Sequence, residues 1–210
     1  NEAEWEYHLR KQIEEFYLPQ QLVDTIMEYG GIPKTSEVTK MGIGFLDIAD
    51  YTYISKFLSP QENQDVLNGL YTAFNGVLKR HGGYLNKIEG DSVMFHYGGP
   101  TDPRTKNLDE RQTVRYITRE LFYTCVELQR VCERFNKADE TFFNKGESRE
   151  NREILDRAFN IISNLRSNIE MSDAFNALFQ IRVRIGANIG DVTVGNFGPE
   201  GAKQWDIVGL

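Results

Sequence analysis

The sequence predicts an α+β fold, a ferredoxin-like sandwich in which a mainly antiparallel sheet packs against helices. Two observations predict it. Stretches with strand patterns lie on both sides of long amphipathic helix patterns, and their order along the chain is strand, helix, hairpin, helices, strand, hairpin. Strands and helices in this order are typical of a sheet that is covered by a layer of helices.

The first 34 residues are predicted to be an N-terminal helical arm and linker. Residues 2–17 are polar with four apolar side chains at helical spacing, and a second short helix follows at about 19–29. That helix ends at Gly30-Gly31, and glycine is a common helix terminator. The arm either packs against the rest of the chain or transmits a signal from an upstream domain, and the sequence leaves both interpretations open.

The remaining elements follow from hydrophobic periods of 2 and 3.6 residues. In chain order they are a strand at 41–48, a helix at 60–81, strands at 84–88 and 92–97, helices at about 108–136 and 151–170, and strands at 179–185, 192–197 and 204–208. Glycine-containing turns are expected at Gly90-Asp91 and at Gly190-Asp191. A polar loop is expected at about 137–150.

The composition excludes some classes of function. The chain has 210 residues, 40% of them hydrophobic, a formal net charge of -7 and an isoelectric point near 5.1. An acidic chain lacks the basic surface that binding to a nucleic-acid backbone requires, so no nucleic-acid partner is expected. No apolar run approaches the ~20 residues of a membrane helix, so any membrane attachment would come from segments outside this chain.

The two cysteines and the first residue bear on location. Cys125 and Cys132 lie on the apolar face of a predicted helix, about 10.5 Å apart along its axis, which is too far for a disulfide. Free buried thiols fit a reducing compartment, and we expect a cytoplasmic protein. Because the chain begins with Asn1 and not with Met, we expect a piece of something longer.

Two aspartates could carry chemistry. Asp47 ends the first strand and Asp91 lies at the tip of the following hairpin, so a ferredoxin-like sheet would bring both to one end. Magnesium is often held by one or two carboxylates together with phosphate oxygens of a substrate. The alternative is that each aspartate is an ordinary turn residue. After Asp47, the backbone from Ile48 to Thr52 turns so that successive amides could face an anion.

Five segments of the sequence carry recognisable motifs. They are Phe45-Leu46-Asp47-Ile48-Ala49-Asp50-Tyr51-Thr52, Asn86-Lys87-Ile88-Glu89-Gly90-Asp91-Ser92-Val93-Met94, Arg184-Ile185-Gly186-Ala187-Asn188-Ile189-Gly190-Asp191-Val192, Val194-Gly195-Asn196-Phe197-Gly198 and Trp205-Asp206-Ile207-Val208-Gly209. Together they cover about residues 41–100 and 181–210. In this order they resemble the motifs of one family, the class III adenylate and guanylate cyclases.

The resemblance implies roles for individual residues. Asp47 and Asp91 match the family's two metal-binding aspartates, and the carbonyl of Ile48 matches its backbone metal ligand. Lys87 and Asp206 match the pair that reads the purine, where guanylate cyclases usually carry Glu and Cys. Asp50, Tyr51 and Thr52 would lie against the substrate's phosphates. Without these motifs, Lys87 and Asp206 would be taken for an exposed strand residue and a strand cap.

The resemblance also implies an activity and its partners. The expected reaction converts ATP to cyclic AMP and pyrophosphate with two divalent cations, Mg²⁺ or Mn²⁺. The expected assembly is a homodimer with its active sites at the subunit interface. A catalytically silent cyclase-like module that dimerises or regulates a partner is the alternative.

Two departures from the family pattern stand out. The family's transition-state asparagine and arginine and a triphosphate-binding lysine follow the D-I-V-G segment, beyond Leu210. The stretch at about 101–178 is longer than in a typical member. We therefore predict a catalytic domain at 35–210, truncated at its C-terminal end, with a helical insertion at about 101–178.

Overall fold

A computed structural model describes residues 1–137, 147–167 and 180–209 of the chain. Six helices and five strands lie in these ranges. In chain order they are α1 (Glu2–Phe16), α2 (Gln20–Tyr29), β1 (Glu37–Ile48), α3 (Tyr51–Ser55), α4 (Pro60–His81), β2 (Tyr84–Glu89), β3 (Ser92–Tyr97), α5 (Glu110–Lys137), α6 (Arg149–Ser167), β4 (Val183–Phe197) and β5 (Gln204–Gly209).

The strands form one sheet in the order β2-β3-β1-β4-β5, and every neighbouring pair is antiparallel. Strands β1 and β2 are separated by β3 and connected through α4, which is the split β-α-β arrangement of ferredoxin-like folds. The predicted fold class is therefore confirmed.

The main core lies between the sheet and helices α4, α5 and α6. It takes alternate residues of β1, such as Leu46 and Ile48, together with the apolar faces of the three helices. A second, smaller cluster lies against the sheet and contains Met41, Met94 and Ile207. Because successive side chains of a strand point to opposite faces, Asp47 lies on the face away from the helices, as Phe45 does.

Helix α4 shows why its bounds were predictable. Ser59 caps it by accepting a hydrogen bond from the Glu62 amide while the Glu62 side chain accepts from the Ser59 amide, and such reciprocal caps define helix starts. Pro60 occupies the first turn, and Gly82 ends the helix in the left-handed conformation with φ 79°. Glycine adopts that conformation without a Cβ clash.

Several expectations need correction. No turn interrupts β4 at Gly190-Asp191: the strand pairs with β1 along its length, with Gly190 opposite Met41 and Asp191 opposite Lys40. A salt bridge of 2.9 Å joins Lys40 to Asp191, so pairing with β1 overrides the local turn signal. Strand β1 begins earlier than expected, at Glu37. The short helix α3 stands where a plain turn was expected.

Parts of other expectations fall outside the described residues. They are most of the 137–150 loop, the C-terminal end of the helix at 151–170 and the beginning of the strand at 179–185. The cysteines are free, as expected. Cys132 is buried, whereas Cys125, which was also expected to be buried, is half-buried. Burial raises the pKa of Cys132 to about 12. No described helix is long and apolar enough to cross a membrane.

Candidate functional site

The two predicted metal aspartates lie together at one end of the sheet. Asp47 is the partner of Ser92 in the ladder between β1 and β3, and Asp91 immediately precedes Ser92. The amide of Ile48 donates a hydrogen bond to the carbonyl of Asp91, at 3.1 Å. The end of β1 is thus tied to the tip of the β2–β3 hairpin, as the sequence predicted.

A cation already contacts this acidic end. Arg184 is the partner of Asp47 in the ladder between β1 and β4, and its Nη2 donates to Asp47 Oδ2 at 2.7 Å. The hydrogen bond and charge of Asp47, with smaller contributions from the charges of Asp50 and Asp91, raise the pKa of Arg184. Arg184 therefore contacts one carboxylate and is within the electrostatic influence of two more at this end of the sheet.

The composition of this end suits a hard cation that also binds a substrate. Among the described residues there is no group of three or more His, Cys, Asp or Glu side chains that could hold a metal ion by themselves. Magnesium ordinarily takes one or two carboxylates and completes its shell with water and phosphate oxygens. The side chain of Ile48 is buried in the core, so only its backbone carbonyl is available as a ligand.

The segment after β1 turns sharply into α3. Asp50 has a left-handed backbone with φ 56°, and helix α3 begins at the next residue. The first amides of a helix have no acceptor within it, so those of Tyr51 and Thr52 are available to an anion. The side chain of Tyr51 is buried and its hydroxyl donates to Asn63, which leaves only its backbone for binding.

The predicted purine-reading pair is in contact. Lys87 Nζ lies 3.0 Å from Asp206 Oδ2, although Lys87 is on β2 and Asp206 on β5, the two edge strands of the sheet. In a flat sheet those strands would be about 19 Å apart, at ~4.8 Å per strand. The sheet must therefore curl strongly for the contact to form, and its two edges approach each other over the face without helices.

Asp206 is held by three donors. In addition to Lys87, Asn86 Nδ2 donates to Asp206 Oδ1 at 3.1 Å and the Ile207 amide donates to it at 2.8 Å. Burial raises the pKa of Asp206, but the donors outweigh it, and the pKa lies below its ordinary value. Asp206 is therefore ionised at neutral pH and acts only as an acceptor.

Two residues that contact the predicted site residues, Arg184 and Asn86, were not predicted from the sequence. Arg184 was placed in a motif but was given no role, although its alternation with Ile185 indicated that it faces away from the core. Asn86 was also given no role, because its contact with Asp206 depends on a β-bulge that no local sequence pattern predicts. The structure does bring together the residues that the sequence analysis paired, Asp47 with Asp91 and Lys87 with Asp206.

Comparison with protein families decides the relationship. The family model of the adenylate and guanylate cyclase catalytic domain matches residues 34–209, nearly the whole chain. The chain belongs to this family.

The curated relatives of this cyclase domain include guanylyl cyclases. Retinal guanylyl cyclase 1 of Bos taurus is 32% identical over 104 residues, which are 44% of this chain and 9% of that protein. The chain thus spans about a tenth of the length of that relative.

Solved structures of the family share the fold. A bacterial light-regulated adenylyl cyclase has a TM-score of 0.64 at 14% identity, over 99% of this chain and 47% of its own. The guanylyl cyclase Cya2 has a TM-score of 0.52 at 22% identity, over 83% of this chain and 66% of its own. At these identities the likeness concerns the fold, and the substrate depends on the site residues.

Proposed function

We propose that this cyclase domain is an adenylate cyclase, which converts ATP to 3',5'-cyclic AMP and pyrophosphate. The observation that carries the proposal is the contact between Lys87 and Asp206. A lysine donates only, and an ionised aspartate accepts only. Adenine presents the complementary edge, a ring nitrogen that accepts beside an amino group that donates. Guanine presents a donating ring nitrogen beside an accepting oxygen.

The salt bridge between Lys87 and Asp206 would be the form that this base-recognising pair takes without a nucleotide. When adenine enters, Lys87 turns from Asp206 Oδ2 to the ring nitrogen, and Oδ2 accepts from the amino group. Each group exchanges one partner for another, so no polar atom is left without a partner. Guanine would place its oxygen against a carboxylate and its N–H against an ammonium, and leaving polar groups unpaired in this way is strongly disfavoured.

The acidic end of the sheet is the proposed site of two divalent cations, Mg²⁺ or Mn²⁺. Asp47, Asp91 and the carbonyl of Ile48 would hold them, with phosphate oxygens completing their shells. When bound, such ions lower the pKa of the ribose 3'-hydroxyl and neutralise charge on the triphosphate. The hard oxygen donors of these residues fit this role, and the contact with Arg184 supports it, since the carboxylate of Asp47 already attracts a cation.

The remaining groups at this end position the triphosphate. Arg184 is freed from Asp47 when metal charge takes its place, and its guanidinium then pairs with phosphate oxygens, which it matches in geometry. The backbone amides of Tyr51 and Thr52, which have no acceptor within α3, would stabilise the negative charge of the leaving pyrophosphate. Asp50 itself is paired with Arg182 at 3.3 Å, which offsets part of the repulsion between its carboxylate and the phosphates.

We infer that the working form is a homodimer in which each active site combines two subunits. The metal aspartates of one subunit would face the Lys87–Asp206 pair of the other, and twofold symmetry would make two equivalent sites. Phe45 supports this arrangement: it lies beside Asp47 on the face without helices and is 59% exposed. An aromatic side chain of that exposure is well suited to burial against a second subunit.

The test is product formation by the full-length protein. We expect cyclic AMP from ATP with Mg²⁺ or Mn²⁺, little cyclic GMP from GTP, and loss of activity in Asp47→Asn, which keeps the shape but removes the charge. Preferential formation of cyclic GMP would contradict the substrate. Absence of both products from a folded dimer, with no metal-dependent binding of either nucleotide, would favour the catalytically silent module.

A further inference from the structure

Strand β2 contains a β-bulge beside the base-reading pair. Leu85 pairs with Phe95 on β3, but the next paired residue of β2 is Lys87, opposite Met94. Asn86 is therefore an extra residue in the ladder. In a regular strand consecutive side chains point to opposite faces, whereas a bulge re-aims the side chains around it.

The bulge has a specific consequence for Asp206. Leu85 packs against the main core on the helix side of the sheet. Without the extra residue, Asn86 and Lys87 would point to opposite faces and only one of them could reach β5. With it, Asn86 Nδ2 and Lys87 Nζ contact the two different oxygens of the same carboxylate.

Asn86 is a fixed donor, whereas Lys87 is a movable one. The side chain of Asn86 is buried, with 9% exposed, and its Nδ2 also lies 3.6 Å from Met94 Sδ. The side chain of Lys87 is 40% exposed and hangs from four flexible methylenes. If adenine draws Lys87 away, the donors that remain on Asp206 are Asn86 and the Ile207 amide, both on Oδ1.

We propose that Asn86 is a positioning residue that sets base selectivity by clamping Oδ1 of Asp206. The clamp leaves Oδ2 as the oxygen that is free to accept from adenine when Lys87 moves. With the amide of Ile207, it holds the carboxylate in one orientation. Without the clamp the carboxylate could rotate out of this alignment, so loss of Asn86 would relax the choice between the two bases. This inference rests on the proposed ATP specificity.

The test compares Asn86→Leu, which is close in size but has no donor, with the wild-type protein. We expect the ratio of kcat/KM for ATP to kcat/KM for GTP to fall about tenfold, a magnitude typical of one hydrogen bond to a charged group. Most of the loss should appear in KM for ATP, since the base contacts are already made in the ground state. Asn86→Asp should lower the ratio further, because it sets two carboxylates side by side.

Asn136→Ala is the matched control. Asn136 is half-buried and also makes side-chain hydrogen bonds, donating to the Ile181 carbonyl and accepting from Arg166 and the Ile181 amide. Its loss should reduce stability without changing the ATP-to-GTP ratio. A second readout is the ratio of the binding affinities for α,β-methylene ATP and α,β-methylene GTP, which do not react. Calorimetry measures both affinities.

The outcomes separate the inference from the proposed function. An unchanged ratio in Asn86→Leu, with a wild-type protein that prefers ATP, would overturn the role of Asn86 and leave the proposed function intact. A wild-type protein that prefers GTP in both assays would overturn both. A lowered ratio in Asn86→Leu but not in Asn136→Ala would support the clamp.

Discussion

Arg184 and Asp47 face each other across the ladder between β4 and β1, with Arg184 Nη2 only 2.7 Å from Asp47 Oδ2. The guanidinium therefore occupies the carboxylate that is proposed to bind metal. A metal ion that binds through Oδ2 would have to displace this ion pair.

The first prediction concerns Arg184→Ala. Without nucleotide, this variant should bind Mn²⁺ about threefold more tightly, a small factor because exposed ion pairs contribute little. With ATP, its kcat/KM should fall about tenfold, because the phosphates lose a charged donor. Calorimetry with Mn²⁺ and a cyclic AMP assay measure the two effects.

Arg182→Ala is the control for that experiment. Arg182 pairs with Asp50 and does not contact Asp47, so its loss should leave Mn²⁺ affinity unchanged. Equal Mn²⁺ affinities in wild-type and Arg184→Ala would show that the ion pair does not compete with metal.

The second prediction tests the shared active site. Asp47→Asn lacks a metal ligand, Asp206→Ala lacks a base acceptor, and each alone should be inactive. When the two proteins are unfolded together and refolded as a 1:1 mixture, half of the dimers should be mixed and each should hold one intact site. The mixture should then recover about a quarter of wild-type activity.

If each site were built within one subunit, every subunit in that mixture would be defective and no activity would return. Subunit exchange is verified by carrying different affinity tags on the two variants. Recovery of both tags in one dimer without any activity would contradict the shared site.

The third prediction compares two glycines of α4. A Cβ on Gly69 would lie 2.2 Å from Ala158 Cβ of α6, whereas a Cβ on Gly76 would meet nothing closer than 3.6 Å. Gly69→Ala should destabilise the protein by about 1–3 kcal/mol through overpacking. Gly76→Ala should stabilise it by about 0.5–1 kcal/mol, because alanine favours the helix. Urea unfolding measures both.

The two substitutions are chemically the same and lie in one helix, so helix propensity cancels between them. A stabilising effect of Gly69→Ala would mean that α6 does not pack against α4 as closely as the structure has it. The pair therefore also tests how the predicted insertion joins the domain.

Some helices and strands could be predicted from the sequence better than others. Helix α4 was predictable because its period, its cap and its terminal glycine are all local and agree. Strand β4 was not, because glycine and aspartate at positions 190 and 191 favour a turn locally while β1, far away in sequence, holds them in a ladder. Tertiary pairing overrides local preference in such cases.

The site shows the same division. Asp47, Asp91, Lys87 and Asp206 were predictable because each lies in a recognisable segment. The partners Arg184 and Asn86 were not, because one depends on the cross-strand register and the other on a bulge. Both contacts depend on how distant strands pair, which a local sequence pattern does not reveal.

The last prediction concerns His96, which lies within β3 and is buried, with 2% exposed. Its Nδ1 is 3.2 Å from the Gly98 carbonyl, and its ring stacks on Tyr84. Burial lowers the pKa of His96 to about 4, although the Gly98 carbonyl opposes this shift. The folded protein therefore keeps the ring neutral at pH values where the unfolded chain, with an ordinary pKa near 6.5, binds a proton.

Between these two pKa values the unfolded state binds more protons, so the free energy of unfolding must fall as the pH falls. The contribution of His96 to the free energy of unfolding should fall by about 2 kcal/mol between pH 7 and pH 5. His96→Gln, which cannot titrate, should lose that part of the dependence even if it is less stable overall. Urea unfolding of both proteins at several pH values measures it, and parallel stability curves would show that His96 is not the group responsible.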